Sequence, residues 1–165
     1  MLVVTLAGVL LVFGLPAWSD WIGAARLATQ AQALANDLAI ARSEAIKRGR
    51  RVILCRSGDG QSCAETGGWE SGWMTYVDVD GSGRPAGASA VLQRTPTAET
   101  GITVRGNRPV EAYVAFIGSG HARLLSGGLQ MGTFTLCRRG LDAQRVVLAN
   151  SGRTRVEKTH DRCPS

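Results

Sequence analysis

The feature that most limits what this chain can fold into is its first 48 residues, which read as a single helix in two environments. Residues 2–15 (LVVTLAGVLLVFGL) are apolar except for Thr5, and Pro16 then interrupts the run. Trp18, Trp21 and Ile22 carry the apolar character past one charge at Asp20. At 1.5 Å per residue, 2–22 extends roughly 30 Å, the thickness of a bilayer's hydrocarbon core. Beyond Ile22 the pattern changes. Leu27, Ala31, Leu34, Leu38, Ala41 and Ala45 recur at alternating steps of four and three, which makes one apolar stripe. Arg26, Gln30, Asn36, Asp37, Ser43 and Lys47 lie off it. Lys47 and Arg48 suit a helix C-terminus, and Gly49 suits the residue after it. The expected organisation is a membrane segment over 1–22 and a globular domain over 23–165 that begins with an amphipathic helix ending near 48.

After Gly49 the period becomes that of strands. Residues 51–56 (RVILCR) form a short extended run, followed by a polar, glycine-rich loop. Residues 73–78 (WMTYVD) alternate and end at DGSGRP, a turn signal. Further strands are expected at 90–94, 102–105 and 112–117, and 133–138 with 145–149 reads as a hairpin around RGLDAQ. A tail runs from Asn150 to Ser165. One helix followed by six or seven strands on hairpin-length loops predicts an α+β fold. In it an antiparallel sheet packs on the helix stripe. The 21 glycines suit such a turn-rich domain.

At 165 residues the chain is one domain plus an anchor. The formal net charge of +6 fits an anionic partner, nucleic acid or lipid head groups, as well as a merely soluble basic surface. Cys55, Cys63, Cys137 and Cys163 are an even set behind an export-like segment, which favours disulfides in an oxidising compartment. The competing zinc reading lacks a CxxC pair and has only His121 and His160 to draw on. A cleaved signal peptide would need a basic start, but no Lys or Arg precedes Arg26, so a retained anchor is preferred.

Motifs of catalysis are missing: there is no GxSxG, HExxH, P-loop or paired-carboxylate constellation, and no cofactor or metal is expected. Ser119 beside His121 reads as turn chemistry. Asp78, Asp80, Ser82 and Gly83 imitate the start of a calcium loop, but the twelfth position is Ser89 where a Glu is needed, so a hairpin turn is preferred. Trp69 and Trp73 offer either a binding surface or core cover beside the first disulfide, and core cover is the reading taken.

Several stretches together resemble the FimT/GspH class of type IV pilin-like proteins, the minor pilins of type IV pili and minor pseudopilins of type II secretion. LVVTLAGVLLVFGLPAWSDWI is similar to the pilin hydrophobic segment with its proline. LANDLAIARSEAIKRGRRVILC is similar to the helix end and first strand of this class. WESGWMTYVDVDGSG, FTLC and RVVLANSGRTRV complete the likeness. Pilins carry a short basic leader ending in Gly, then Phe and a Glu five residues into the mature chain. The expectation is that these lie upstream of Met1. The resemblance implies a helix that holds the subunit in the inner membrane and later packs in a filament core with other pilins. It also implies a periplasmic domain that faces outward on the assembled pilus. It leaves two functions open: a minor pilin that also binds DNA for natural transformation, or a pseudopilin of type II secretion with no DNA role.

DNA binding rests on the C-terminal region. Arg138, Arg139, Arg145, Arg153, Arg155, Lys158 and Arg162 gather there against Asp142, Glu157 and Asp161. Arg153 and Arg155 are two apart and would share a face of an extended segment, with Gly152 permitting close backbone approach. Paired guanidinium groups suit successive phosphates of double-stranded DNA without sequence preference. The resemblance adds that DNA-capturing members carry a Gly-Arg-x-Arg in the tail, matched here by Gly152, Arg153 and Arg155. The plainer alternative is a solvated final strand. The cysteines are expected to pair Cys55–Cys63, closing the loop after the first strand, and Cys137–Cys163, tying down the tail.

Overall fold

The computed structural model describes residues 2–164, with side-chain surroundings described from Asp20 onward. Helix α1 runs Leu2–Arg48, and the chain leaves it through Gly49, whose positive φ of 61° suits glycine. Among the described residues no helix is long and apolar enough to cross a membrane. The apolar segment expected over 1–22 lies almost wholly outside the residues whose side chains are described.

Eight strands follow: β1 (Val52–Arg56), β2 (Trp73–Val77), β3 (Val91–Thr95), β4 (Ile102–Gly106), β5 (Tyr113–Phe116), β6 (Gly132–Arg138), β7 (Asp142–Leu148) and β8 (Thr154–Arg162). They form two four-stranded sheets rather than the single sheet expected, ordered β3-β2-β1-β5 and β4-β6-β7-β8. Every pairing between them is antiparallel. The tail is also corrected: β8 is a regular edge strand. Its burial alternates less cleanly than that of β6 because its pairing with β7 shifts register between Asp142 and Gln144 and Val156 is its one apolar side chain packed against the core. Strand β7 begins at Asp142, three residues before the expected 145, so the turn is shorter than RGLDAQ.

The helix stripe joins the two sheets. Leu27, Ala31, Leu34, Leu38, Ala41 and Ala45 are all 1% exposed or less, and they share one core with Val52, Leu54 and Phe116 of the first sheet and Phe134, Leu136, Val146 and Leu148 of the second. Trp69 sits at the junction. Its ring meets Phe134 edge-on with centroids 5.1 Å apart, and its indole N–H donates to the carbonyls of Val110 and Glu111. Trp73 is equally buried. Both tryptophans therefore belong to the core.

The first sheet is covered on both faces. Ile53, Cys55, Met74, Tyr76 and Ala115 form a second cluster on the side away from α1, which explains why β1 and β2 show no alternation of burial. The glycine-rich loop after β1 is fixed by the Cys55–Cys63 disulfide and by buried Arg56, which donates to the carbonyls of Ala64 (3.0 Å), Gly67 (2.7 Å) and Glu65 (2.5 Å).

One polar helix residue departs from the amphipathic reading. Asp37, placed off the stripe by its charge, is buried. Its carboxylate accepts hydrogen bonds from Trp73 Nε1, Gln93 Nε2 and Thr95 Oγ1, each 2.7 Å long. It therefore ties α1 to β2 and β3 from within the core.

Candidate nucleic-acid interface

Strand β8 and the turn before it carry the cations singled out from the sequence. The turn is closed by Gly152 N–H donating to Ala149 O (2.9 Å) and by Ala149 N–H donating to Arg153 O (2.9 Å). Gly152 has φ of 77° and is buried. A Cβ there would overlap the carbonyl oxygen of Gly120 and stand 2.9 Å from Arg42 Nε. The close backbone approach that Gly152 permits is thus made by the chain's own Gly120 turn. At the far end, Cys163 is bonded to Cys137 of β6, and Cys163 N–H donates to Leu141 O (2.9 Å), so β8 is tethered at both ends.

Arg153, Arg155, Lys158, Arg162 and Arg139 are exposed. They do not form one patch. Arg155 faces a groove of about 570 Å³ on the outer surface of the second sheet, alongside Arg105 of β4 and Arg145 of β7. The register β4-β6-β7-β8 sets Arg105 opposite Thr135, Thr135 opposite Arg145, and Arg145 opposite Glu157. Each arginine of this groove has a carboxylate partner: Glu70 for Arg105 (2.8 Å), Asp161 for Arg145 (2.6 Å) and Glu157 for Arg155 (2.5 Å). Exposed pairs of this kind hold their side chains weakly, by about 0–1 kcal/mol.

Arg153 opens instead onto a separate groove of about 360 Å³ between its turn and α1, lined by Ala39, Arg42, Ser43, Ile46, Gly152 and Thr154. Lys158 and Arg162 face a third hollow near the start of the described side chains, together with Asp20 and Asp142. Arg138 is not a free surface cation. It is half-buried beside Gly23 of α1, and its Nη1 is buried with no partner among the described residues. Arg42 was not signalled by the sequence pattern, because a lone arginine beside an apolar stripe looks like any solvated helix face.

The other candidates have local duties. Asp78 forms an ion pair with Arg51 (3.2 Å) and accepts from Gly83 N–H (3.1 Å), while Asp80 accepts from Ser82 N–H (3.0 Å), so this loop's carboxylates fasten its own turn. Ser119 Oγ lies 3.2 Å from His121 Nδ1 on an exposed turn, and no third side chain orients the ring among the described residues. That pair lacks the orienting group a nucleophile and base require.

Residues 30–152 match the family described as GspH, Type II transport protein GspH. No curated protein matches. Among solved structures, the fold is similar to the type IV minor pilin FimU of Pseudomonas aeruginosa, at 21% identity and a TM-score of 0.62, over 85% of this chain and 97% of that one. It is also similar to the minor pseudopilin EpsH from the type 2 secretion system of Vibrio cholerae, at 14% identity and a TM-score of 0.56, over 82% and 99%. By these descriptions the neighbours are pilins and pseudopilins, not enzymes.

Proposed function

Because the chain belongs to the GspH family of type IV pilin-like minor pilins and pseudopilins, we propose that it is a minor pilus subunit, anchored in the inner membrane by its N-terminal helix, that contacts double-stranded DNA through its basic C-terminal strand. The observation that carries the DNA contact is the exposure of Arg153, Arg155, Lys158 and Arg162 on one edge strand and its leading turn, a strand tethered at both ends. Cations on a strand already held in place lose little freedom on binding. Contacts to a few phosphates give micromolar or weaker affinity at physiological salt, with no sequence preference. Assembly with other pilins would present this edge outward, on the cell surface, where DNA uptake in natural transformation begins.

The test is fluorescence anisotropy of a labelled duplex with the full chain in non-ionic detergent, at two salt concentrations. Arg153→Gln combined with Arg155→Gln should lose most binding at an unchanged melting temperature. Equal binding by that variant and the wild type would overturn the DNA contact.

A second reading is supported by the outer-sheet groove, where Arg105, Arg145 and Arg155 each face a carboxylate. Charges balanced within the subunit have less need of a phosphate partner. On this reading the chain is a type II secretion pseudopilin without a DNA role, and secretion genes beside its own would favour it.

A further inference from the structure

Arg42 of α1 is held in a way that no other residue of the basic region is. Its side chain lies against two glycine turns. A Cβ on Gly120, at φ of 79°, would stand 2.7 Å from Ile46 Cδ1 and 3.3 Å from Arg42 Nε. A Cβ on Gly152 would stand 2.9 Å from Arg42 Nε and 3.0 Å from its Cδ. The two turns can close on the arginine only because neither has a side chain. Arg42 Nε donates to Gly120 O (2.9 Å), which fixes the plane of the guanidinium. Its terminal nitrogens make no hydrogen bond among the described residues and are not buried orphans, so they open to solvent.

The groove they open into contains a second guanidinium, Arg153, and the exposed Ser43, but no carboxylate. The outer-sheet groove, by contrast, pairs every arginine with an acid. Two cations share one concavity here with no internal counterion, and one of them is rigidly aimed. We propose that this groove is a phosphate clamp in which Arg42 and Arg153 together grip a backbone phosphate of double-stranded nucleic acid. The clamp rests on the DNA-binding reading above and changes its geometry: the partner of Arg153 is Arg42 on the helix, not Arg155 two residues along the strand. A preset guanidinium plane suits phosphate oxygens, which a fork of N–H donors meets two at a time.

Lipid head groups offer the same chemistry. Arg42 stands about 30 Å along the helix from Ile22, at 1.5 Å per residue, so a subunit anchored by residues 1–22 holds the groove beyond the reach of its own bilayer. A polymer that can lie across an open groove fits better.

The clamp is tested on the full chain in non-ionic detergent, by duplex anisotropy across a salt series. Arg42→Gln should weaken duplex binding several-fold, as much as Arg153→Gln does, and should lower the salt slope by about 1. Ser43→Glu, which leaves Arg42 and its glycine turns untouched and adds a counterion, should weaken binding to a similar extent. Arg155→Gln should matter less than either. Melting temperatures within a degree or two of wild type separate these effects from misfolding, and Ser43→Glu remains informative if Arg42→Gln is unstable. If Arg42→Gln and Ser43→Glu bind as wild type while the Arg153→Gln, Arg155→Gln double variant does not, the clamp is wrong and the strand reading stands. If the wild type binds no duplex but binds pyrophosphate in an Arg42-dependent way, the clamp stands as an anion site and the DNA reading falls. Arg42-dependent binding to anionic phosphatidylglycerol vesicles without duplex binding would overturn the nucleic-acid assignment.

Discussion

Replacing Asp37 separates a structural carboxylate from an ordinary polar helix residue. The side chain accepts three hydrogen bonds, Oδ2 from Trp73 and Thr95 and Oδ1 from Gln93. Bonds to a charged acceptor are each worth about 1.5–3 kcal/mol, but holding a carboxylate out of water costs several kcal/mol in return. Asp37→Ala also leaves the Trp73 indole N–H, 1% exposed, with no acceptor, at about 1–3 kcal/mol. Gln93 and Thr95 are partly exposed, so water can take their donors. The better helix propensity of alanine returns less than about 0.7 kcal/mol. The net loss for Asp37→Ala is therefore about 2–4 kcal/mol. Asp37→Asn should behave differently. Its single carbonyl oxygen can occupy the Oδ2 position and keep Trp73 and Thr95, while Gln93 turns its amide to accept from the new NH₂. That variant should lose about 1 kcal/mol. The assay is urea or thermal unfolding followed by tryptophan fluorescence, where each kcal/mol moves the midpoint by roughly 2–4 °C. If Ala and Asn are equally destabilising, or Ala costs under about 1 kcal/mol, the three bonds do not hold the helix to the sheet and the reasoning fails.

Leu38, fully buried beneath both sheets, should cost about 2–5 kcal/mol when truncated to Ala, whereas exposed Asn36→Ala should change the melting temperature by a degree or less. Removing the Cys137–Cys163 bridge by serine at both positions should cost about 3 kcal/mol and raise amide exchange at the end of β8, measured by hydrogen–deuterium exchange. Asp59 accepts from the backbone N–H groups of Ser62 and Gln61, and these hold its carboxyl below the usual aspartate value of 3.8. A lowered carboxyl contributes order that is complete above 3.8 and lost as pH falls below it. Protection of the Gln61 and Ser62 amides, measured against their intrinsic exchange rates at each pH, should fall as pH drops well below 3.8, and Asp59→Asn should remove that pH-dependent loss.

The period of the helix stripe was enough to place Leu27 through Ala45 in the core, because a helix has one fixed angular step and a wrong assignment would scatter the apolar residues. Most strand positions were legible too, from short apolar or alternating runs between turn signals, but β8 was not, because its mostly polar and charged residues carry no such run. What alternation does not carry is which strands share a sheet. The split into two sheets is set by long-range register around Trp69 and α1, and the local pattern is the same either way. Asp37 was misread because charge usually marks the solvent face, and only its three partners, which lie 36 to 58 residues away in sequence, reverse that. In the candidate interface the exposed cations of β8 were legible as charge. Their division between separate grooves was not, since it depends on acids from Glu70 to Asp161 that sequence proximity does not bring together. Arg42 could be found only once the Gly120 and Gly152 turns were seen to meet.

The single core that α1 shares with both sheets also determines how the subunit carries load. Residues 27–45 extend about 27 Å along the helix axis, and their side chains press on strands from two separate sheets. A pull on the N-terminal end of α1 acts along that stripe. It must slide all the contacts together instead of peeling them one at a time, and the buried Asp37 bonds to β2 and β3 must give with them. Loading in shear spreads force over many weak contacts at once, whereas a pull at right angles would open the helix from one end at far lower tension. A subunit built this way resists tension best along its helix, the direction in which a filament made of such helices is stretched.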